Sequence, residues 1–180
     1  AMQHIKKNNP NNDKFMIAAF PSDECKIFDY NRVIKDLNGL SKNDFINILS
    51  KDFKILKTDK PYKPFGKKEF GMYHDSQWYI LHFIGSLNSN NFIDDLDINI
   101  LNHFCLTKIL NIKDVNNDER IRFISGSHGL NALEKKVNDN PDSLAFSIFP
   151  SEITDVIRVA DNNLTMPPKS TWFDPKPLDG

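Results

Sequence analysis

Lys169-Ser170-Thr171-Trp172-Phe173, held between Pro167-Pro168 and Pro175-Lys176-Pro177, is the densest gathering of chemically capable side chains in this sequence. Lys169 and Lys176 can neutralise an oxyanion, Ser170 and Thr171 can hydrogen-bond it, and Trp172 and Phe173 offer flat rings on which a nucleotide base could stack. The prolines deny the stretch a helix or a central strand, because each lacks a backbone donor and restricts the residue before it. An ordered loop is therefore expected, one that holds polar side chains at low entropic cost. The two aromatics have a second reading, as a plug fastening the loop to the core, and the sequence does not separate the two.

Ser125-Gly126-Ser127-His128-Gly129 is the next candidate. Small residues between a strand and a helix let backbone N–H groups and a helix N-terminus approach an anion, as phosphate loops do. Gly126, Ser127, His128 and Gly129 are thus ligand-binding candidates, although the lysine and glycine spacing of a nucleotide-binding loop is missing and a plain tight turn is the simpler reading. His128 could serve as an acid or base near neutral pH, yet an exposed loop histidine needs less support from its surroundings. His74 and His82 flank a hairpin, and His103 and Cys105 stand two apart on a helix and so point to different faces. No metal site follows from them. Asp114, Asp118, Glu119 and Arg120 read as a solvated turn, and no residue is identified as catalytic.

The elements that must position these groups can be read in order. Residues 1–13 form a polar lead-in with an asparagine run around Pro10, and 14–180 a single domain. Phe15-Met16-Ile17-Ala18-Ala19-Phe20 reads as a buried strand closed by Pro21-Ser22-Asp23-Glu24, with Lys26-Ile27-Phe28-Asp29-Tyr30 as its hairpin partner. Ser41 and Asp44 cap a helix with Phe45, Ile48 and Leu49 on one face. Phe53–Leu56 is a weaker strand, and Pro61 and Pro64 mark an extended loop. Glu69–Tyr73 and Trp78–Phe83, joined by His74-Asp75-Ser76-Gln77, form the strongest hairpin. After a polar loop at Ser86–Asn91, Asp97 is expected to cap a core helix carrying Ile98, Leu101, Cys105 and Ile109. Strand 120–124, helix 130–137 and strand 144–149 follow. A last helix starts at Ser151 with Thr154 and Asp155 and repeats Ile153, Val156, Ile157 and Ala160 at helical spacing. The sum is an α+β fold: a mixed, largely antiparallel sheet with helices packed on it and a C-terminal β-α-β-α unit.

Composition narrows the function classes. At 180 residues, with 23 basic and 24 acidic side chains, the chain has no global field to draw in a nucleic-acid backbone or an anionic membrane. No apolar run reaches the length of a membrane span, and the N-terminal residues hold no signal core. The two cysteines, Cys25 and Cys105, lie far apart, which suits reduced thiols in a cytoplasmic protein.

Recognition enters at the tail. Met166-Pro167-Pro168-Lys169-Ser170-Thr171-Trp172-Phe173-Asp174-Pro175-Lys176, with Ala145–Pro150 and Val159-Ala160-Asp161 before it, resembles the C-terminal signature of the bacterial DUF1015 family. Phe15 to Asn38, Phe70-Gly71-Met72-Tyr73, Trp78-Tyr79 and Leu96-Asp97-Ile98 resemble it too, with departures at Ser127-His128 and Pro177. Members are longer and carry an N-terminal Asp-Gly-His-His-Arg motif that this sequence lacks. The resemblance thus implies the C-terminal part of a longer protein, whose missing half is its first expected partner. That motif is similar to those of ParB and sulfiredoxin-like folds, which include free serine kinases. By fold-level analogy the whole protein is expected to move phosphate from a nucleotide, ADP or ATP, to a small hydroxylated metabolite. The alternative is a regulatory module that binds a ligand or a protein without turnover.

Overall fold

The structure, a computed structural model, describes residues 19, 21, 26–87 and 91–172. The chain divides into two units, and all regular elements described belong to the one spanning Ile27–Phe173. Of the other unit, residues 1–26 and 174–180, only Ala19, Pro21 and Lys26 are described. The strand expected over Phe15–Phe20, Cys25 and the tail beyond Trp172 lie outside the described residues.

Six strands form one sheet in the order β2-β4-β3-β6-β1-β5. They are β1 (Tyr30–Ile34), β2 (Phe53–Thr58), β3 (Glu69–His74), β4 (Gln77–Phe83), β5 (Ile121–Ser125) and β6 (Leu144–Ile148). Every described pair is antiparallel. The expected α+β fold holds, and the sheet expected to be mixed has no parallel pair among the described strands. The reason is that β1 inserts between β5 and β6 and pairs with both, which splits the C-terminal β-α-β unit. β1 begins at Tyr30, whereas the sequence had suggested a strand over Lys26–Tyr30. Of the earlier residues, Phe28 forms an isolated bridge to Trp172.

Local chemistry fixes the first helix and the hairpin. Ser41 caps α1 (Lys42–Leu49) by accepting the Asp44 N–H at 3.1 Å, and Phe45 and Leu49, four apart, are buried. Asp75 and Ser76 turn the β3–β4 hairpin with φ of 49° and 57°, the left-handed pair whose twist suits a two-residue connection. α2 (Asp97–Leu101) continues as a π-helical stretch, Asn102–Thr107, that buries Phe104, Cys105 and Leu106. Its cap differs from expectation: Leu96 holds the N-cap position, and Asp97 lies inside the first turn. Burial pushes the Cys105 thiol well above its usual range.

Strand alternation sorts the sheet into two covered faces. Ile34, Phe70, Met72, Leu81 and Phe146 join α1 and α2 in the main core. On the other face Val33, Tyr73, Trp78 and Ala145 meet Leu133 and Val137 of α3 (Leu130–Asn138). Cover on both sides explains why Leu144-Ala145-Phe146-Ser147-Ile148 is buried at every position. α4 (Ile153–Asp161) departs from its pattern. The helical repeat picks out Ile153, Val156, Ile157 and Ala160, yet Val159 is the buried residue while Ile153 and Ile157 are 41% and 53% exposed. Among the described residues no helix is long and apolar enough to cross a membrane.

Candidate functional site

β1 carries the least expected side chain in the fold. Its alternation points Arg32 to the same face as Ile34, and the whole residue is inaccessible to solvent. A guanidinium offers five N–H groups. This one donates to the carbonyl of Tyr30 and, at 3.4 Å, to that of Lys169, while its Nε–H is buried without a partner. None of the ion pairs among the described residues includes it. Burial with no carboxylate beside it pulls its pKa down to about 9.

Arg32 lines a cleft of about 80 Å³. The tail loop contributes Lys169 and Ser170, α4 contributes Asp155 and Arg158, and Lys67, the Asp95–Ile98 segment, Tyr30, Phe92 and residues 148–151 form the rest of the wall. Lys169 adopts a left-handed φ of 58°, and its Nζ stands 5.4 Å from the Phe123 ring and 5.9 Å from Tyr30. The Arg158 guanidinium lies 4.2 Å over Phe92. Neither cation has a carboxylate partner among the described residues. Lys67, in contrast, is bound at 2.9 Å by both Glu152 and Asp155. Asp97 accepts the Lys68 N–H at 2.7 Å, and burial raises its pKa to about 7 against that hydrogen bond, with Asp155 and Asp95 adding repulsion. A positive group that is buried, or stacked on an aromatic ring, without a counter-ion is what an anion site offers before its ligand arrives.

The candidates read from the tail separate into distinct roles. Lys169 and Ser170 do reach the cleft, but the Ser170 hydroxyl donates to Pro167 O at 2.7 Å. Ser151, expected to start α4, instead donates to Ser170 O at 3.0 Å, and Glu152 takes the cap position. These hydroxyls fasten the loop and have no proton left for a ligand. Thr171 is half-buried and does not line the cleft. Trp172 packs on Tyr30 with ring centroids 4.6 Å apart, the arrangement of a plug. Phe173 and Lys176 lie outside the described residues.

Gly126, Ser127, His128 and Gly129 do not line the cleft either. They make a 3-10 turn in which Ser125 accepts the Ser127 N–H, and Gly129, at φ 72°, starts α3. The glycine at 126 is explained by Asp29: a Cβ there would come within 1.9 Å of its carboxylate. Asp29 is 2% exposed and is held by Lys63 at 2.9 Å and Asn31 at 2.6 Å, so it cannot step aside freely. Gly126→Ala is accordingly expected to lower stability by about 1–3 kcal/mol. Urea unfolding checks this, and a variant as stable as the parent would refute the contact.

Residues 1–99 match the family described as Protein of unknown function (DUF1015). The chain belongs to this family. No curated protein matches it. In this DUF1015 chain the matched residues hold β1 to β4 with Arg32, Lys67 and Asp97, while Arg158, Lys169 and the tail motif lie beyond them.

Sequence reasoning found Lys169 and missed Arg32, Arg158, Lys67 and Asp97 as site residues. One signal was present for Arg32: in Tyr30-Asn31-Arg32-Val33-Ile34 the arginine shares its alternation with Ile34, so a charge stands at a core-facing position. Arg158 had none beyond being the basic residue of α4.

Proposed function

We propose that this DUF1015 domain binds a small molecule through a phosphate or comparable oxyanion seated among Arg32, Arg158 and Lys169. The observation that carries the reading is Arg32, a fully buried guanidinium with no carboxylate within ion-pair distance among the described residues. Such a charge costs several kcal/mol to desolvate, and an arriving oxyanion would offset that cost with charge-assisted hydrogen bonds. Size favours the small ligand: about 80 Å³ is well under the several hundred cubic ångström of pockets that enclose a nucleotide.

The phosphotransferase role implied by resemblance to the serine-kinase-like folds is compatible with this cleft as the metabolite half of a transfer site. Lys169 would then neutralise the phosphoryl charge, and a nucleotide would sit outside the cleft. A binding module without turnover uses the same contacts. Product formation from ATP by the protein that carries the family's other motif distinguishes the two readings.

Thermal unfolding with inorganic phosphate tests the binding itself. At ten times its Kd, phosphate is expected to add about 1.4 kcal/mol, which for a chain of this size means a rise of roughly 3–6 °C. Lys169→Gly removes a cation where glycine suits the left-handed backbone, so the fold is not weakened and the phosphate-dependent rise shrinks by half or more. The absence of any rise in the parent protein at tens of millimolar phosphate would overturn the reading.

A further inference from the structure

The same cleft has an acidic side that an oxyanion alone leaves idle. Asp97 is nine-tenths buried, one of its carboxylate oxygens takes the Lys68 N–H, and it makes no ion pair among the described residues. Asp95 and Asp155 line the cleft beside it. The lysines nearby are already engaged, Lys68 Nζ with Asp95 at 2.7 Å and Lys67 with Glu152 and Asp155. Arg32, Arg158 and Lys169 meanwhile stand in one small cavity with these carboxylates and pair with none of them within 4.0 Å. Opposite charges kept apart across a shared cavity leave both sides incomplete, and a molecule carrying both signs completes them together.

Resting on the oxyanion reading, we infer that the ligand is dipolar: an oxyanion directed to Arg32 and Lys169, and an ammonium group a few atoms away directed to Asp97. A metal ion is the weaker occupant, since no group of three ligating side chains converges among the described residues. A neutral hydroxyl is weaker too, because it leaves a buried carboxylate uncompensated. The volume suits a molecule of few heavy atoms, such as a short aminoalkyl phosphate.

The charged groups around Asp97 are Lys67 and Lys68 before β3, Asp95 on its own turn, Asp155 and Arg158 on α4, Arg32 on β1 and Lys169 on the tail loop. Burial moves the Asp97 proton equilibrium up to about 7, so recognition of the ammonium weakens as pH falls below neutrality.

Calorimetric titration with three isosteric esters and inorganic phosphate tests the inference. The esters are O-phosphoethanolamine, n-propyl phosphate, in which a methyl replaces the ammonium, and 2-hydroxyethyl phosphate. At pH 8 the parent protein is expected to bind phosphoethanolamine at least tenfold tighter than either of the other esters. At pH 6 the ratio falls severalfold once each ester's own second phosphate ionisation, which the ammonium shifts in phosphoethanolamine, is measured by phosphorus NMR and allowed for. In Asp97→Asn the preference disappears while inorganic phosphate still binds. Equal binding of phosphoethanolamine and n-propyl phosphate, with inorganic phosphate bound, overturns the dipolar ligand and leaves the oxyanion site standing. A 2-hydroxyethyl ester as tight as the amine replaces the ammonium by a hydroxyl and overturns it as well. Binding of none of the four removes the oxyanion site and this inference with it. The parent protein's ester ratio decides the matter even if the Asp97 variant fails to fold.

Discussion

Asp97→Asn melts at a higher temperature than the parent protein at pH 8, and the difference vanishes near pH 4. Folding raises the Asp97 pKa from its ordinary 3.8 to about 7. Between those values the folded state binds more protons than the unfolded one, so stability falls as pH rises through this window. Stability supported by the protonated carboxyl is fully present below about 3.8 and lost once pH passes about 7. A displacement of about three units sets an upper bound near 4 kcal/mol. Asparagine keeps an oxygen for the Lys68 N–H and carries no charge to desolvate. Allowing for lost attraction to Lys67, a gain of about 2 kcal/mol is expected, or roughly 4–8 °C. Differential scanning calorimetry across pH measures it. A variant that melts at or below the parent at pH 8 would show that the buried carboxylate carries no such penalty.

Arg32→Met removes phosphate binding and leaves the fold as stable as before or more so. The parent structure buries an arginine with two carbonyl partners and an unpartnered Nε–H, and its pKa of about 9 records the strain of keeping the charge. Methionine has a comparable length, no charge and the flexibility to fill the space beside Phe123, over which the guanidinium now lies at 5.6 Å. Replacing buried charge by an apolar side chain of similar volume is commonly neutral or stabilising by about 1–4 kcal/mol. The expected outcome is a melting temperature equal to or a few degrees above the parent, with no response to phosphate. Loss of more than about 2 kcal/mol would instead make Arg32 a structural anchor, its bonds to Tyr30 and Lys169 outweighing the charge.

These two expectations share a physical basis. A basic and an acidic group, each at odds with its surroundings, line one cleft, and each is expected to be replaceable with a gain or no loss in stability. A sequence that retains such groups gives up folding free energy where ligand chemistry requires it. Apart from the Asn102 carbonyl, the Arg32 Nε–H is the buried side-chain polar atom left without a partner among the described residues, and it sits at this cleft.

Much of the architecture was legible because it rests on short-range signals. The Ser41 cap, the Phe45–Leu49 spacing, the Asp75-Ser76 turn and the order strand, helix, strand, helix after residue 120 all follow from neighbours within a few positions. Proline likewise marked the tail loop, and Lys169 does reach the cleft from it. What failed depended on partners far along the chain. The strand read at Lys26–Tyr30 lies later, at Tyr30–Ile34, because its pairing with β5 and β6 decides its limits. The α4 repeat announces an amphipathic helix but cannot say whether its apolar face is covered, and Ile153 and Ile157 stay exposed. At Ser125–Gly129 the simpler reading, a tight turn, agrees with the 3-10 turn that forms, but only the folded chain shows the Asp29 carboxylate that accounts for Gly126.

The sequence by itself determined local conformation where short-range signals suffice: the Ser41 cap of α1, the reversal of the β3–β4 hairpin, and the absence of a helix from residues 166–172 of the proline-bounded tail. Those outcomes depend on steric limits and hydrogen bonds spanning a few residues. The tertiary structure alone decided that Arg32 and Asp97 lose their water and face one cavity with Lys169 and Arg158. Desolvation is a collective effect of segments distant in the chain. β1, the Asp95–Ile98 segment, α4 and the tail loop must all close together before an ordinary arginine and an ordinary aspartate have their proton equilibria shifted at the candidate site.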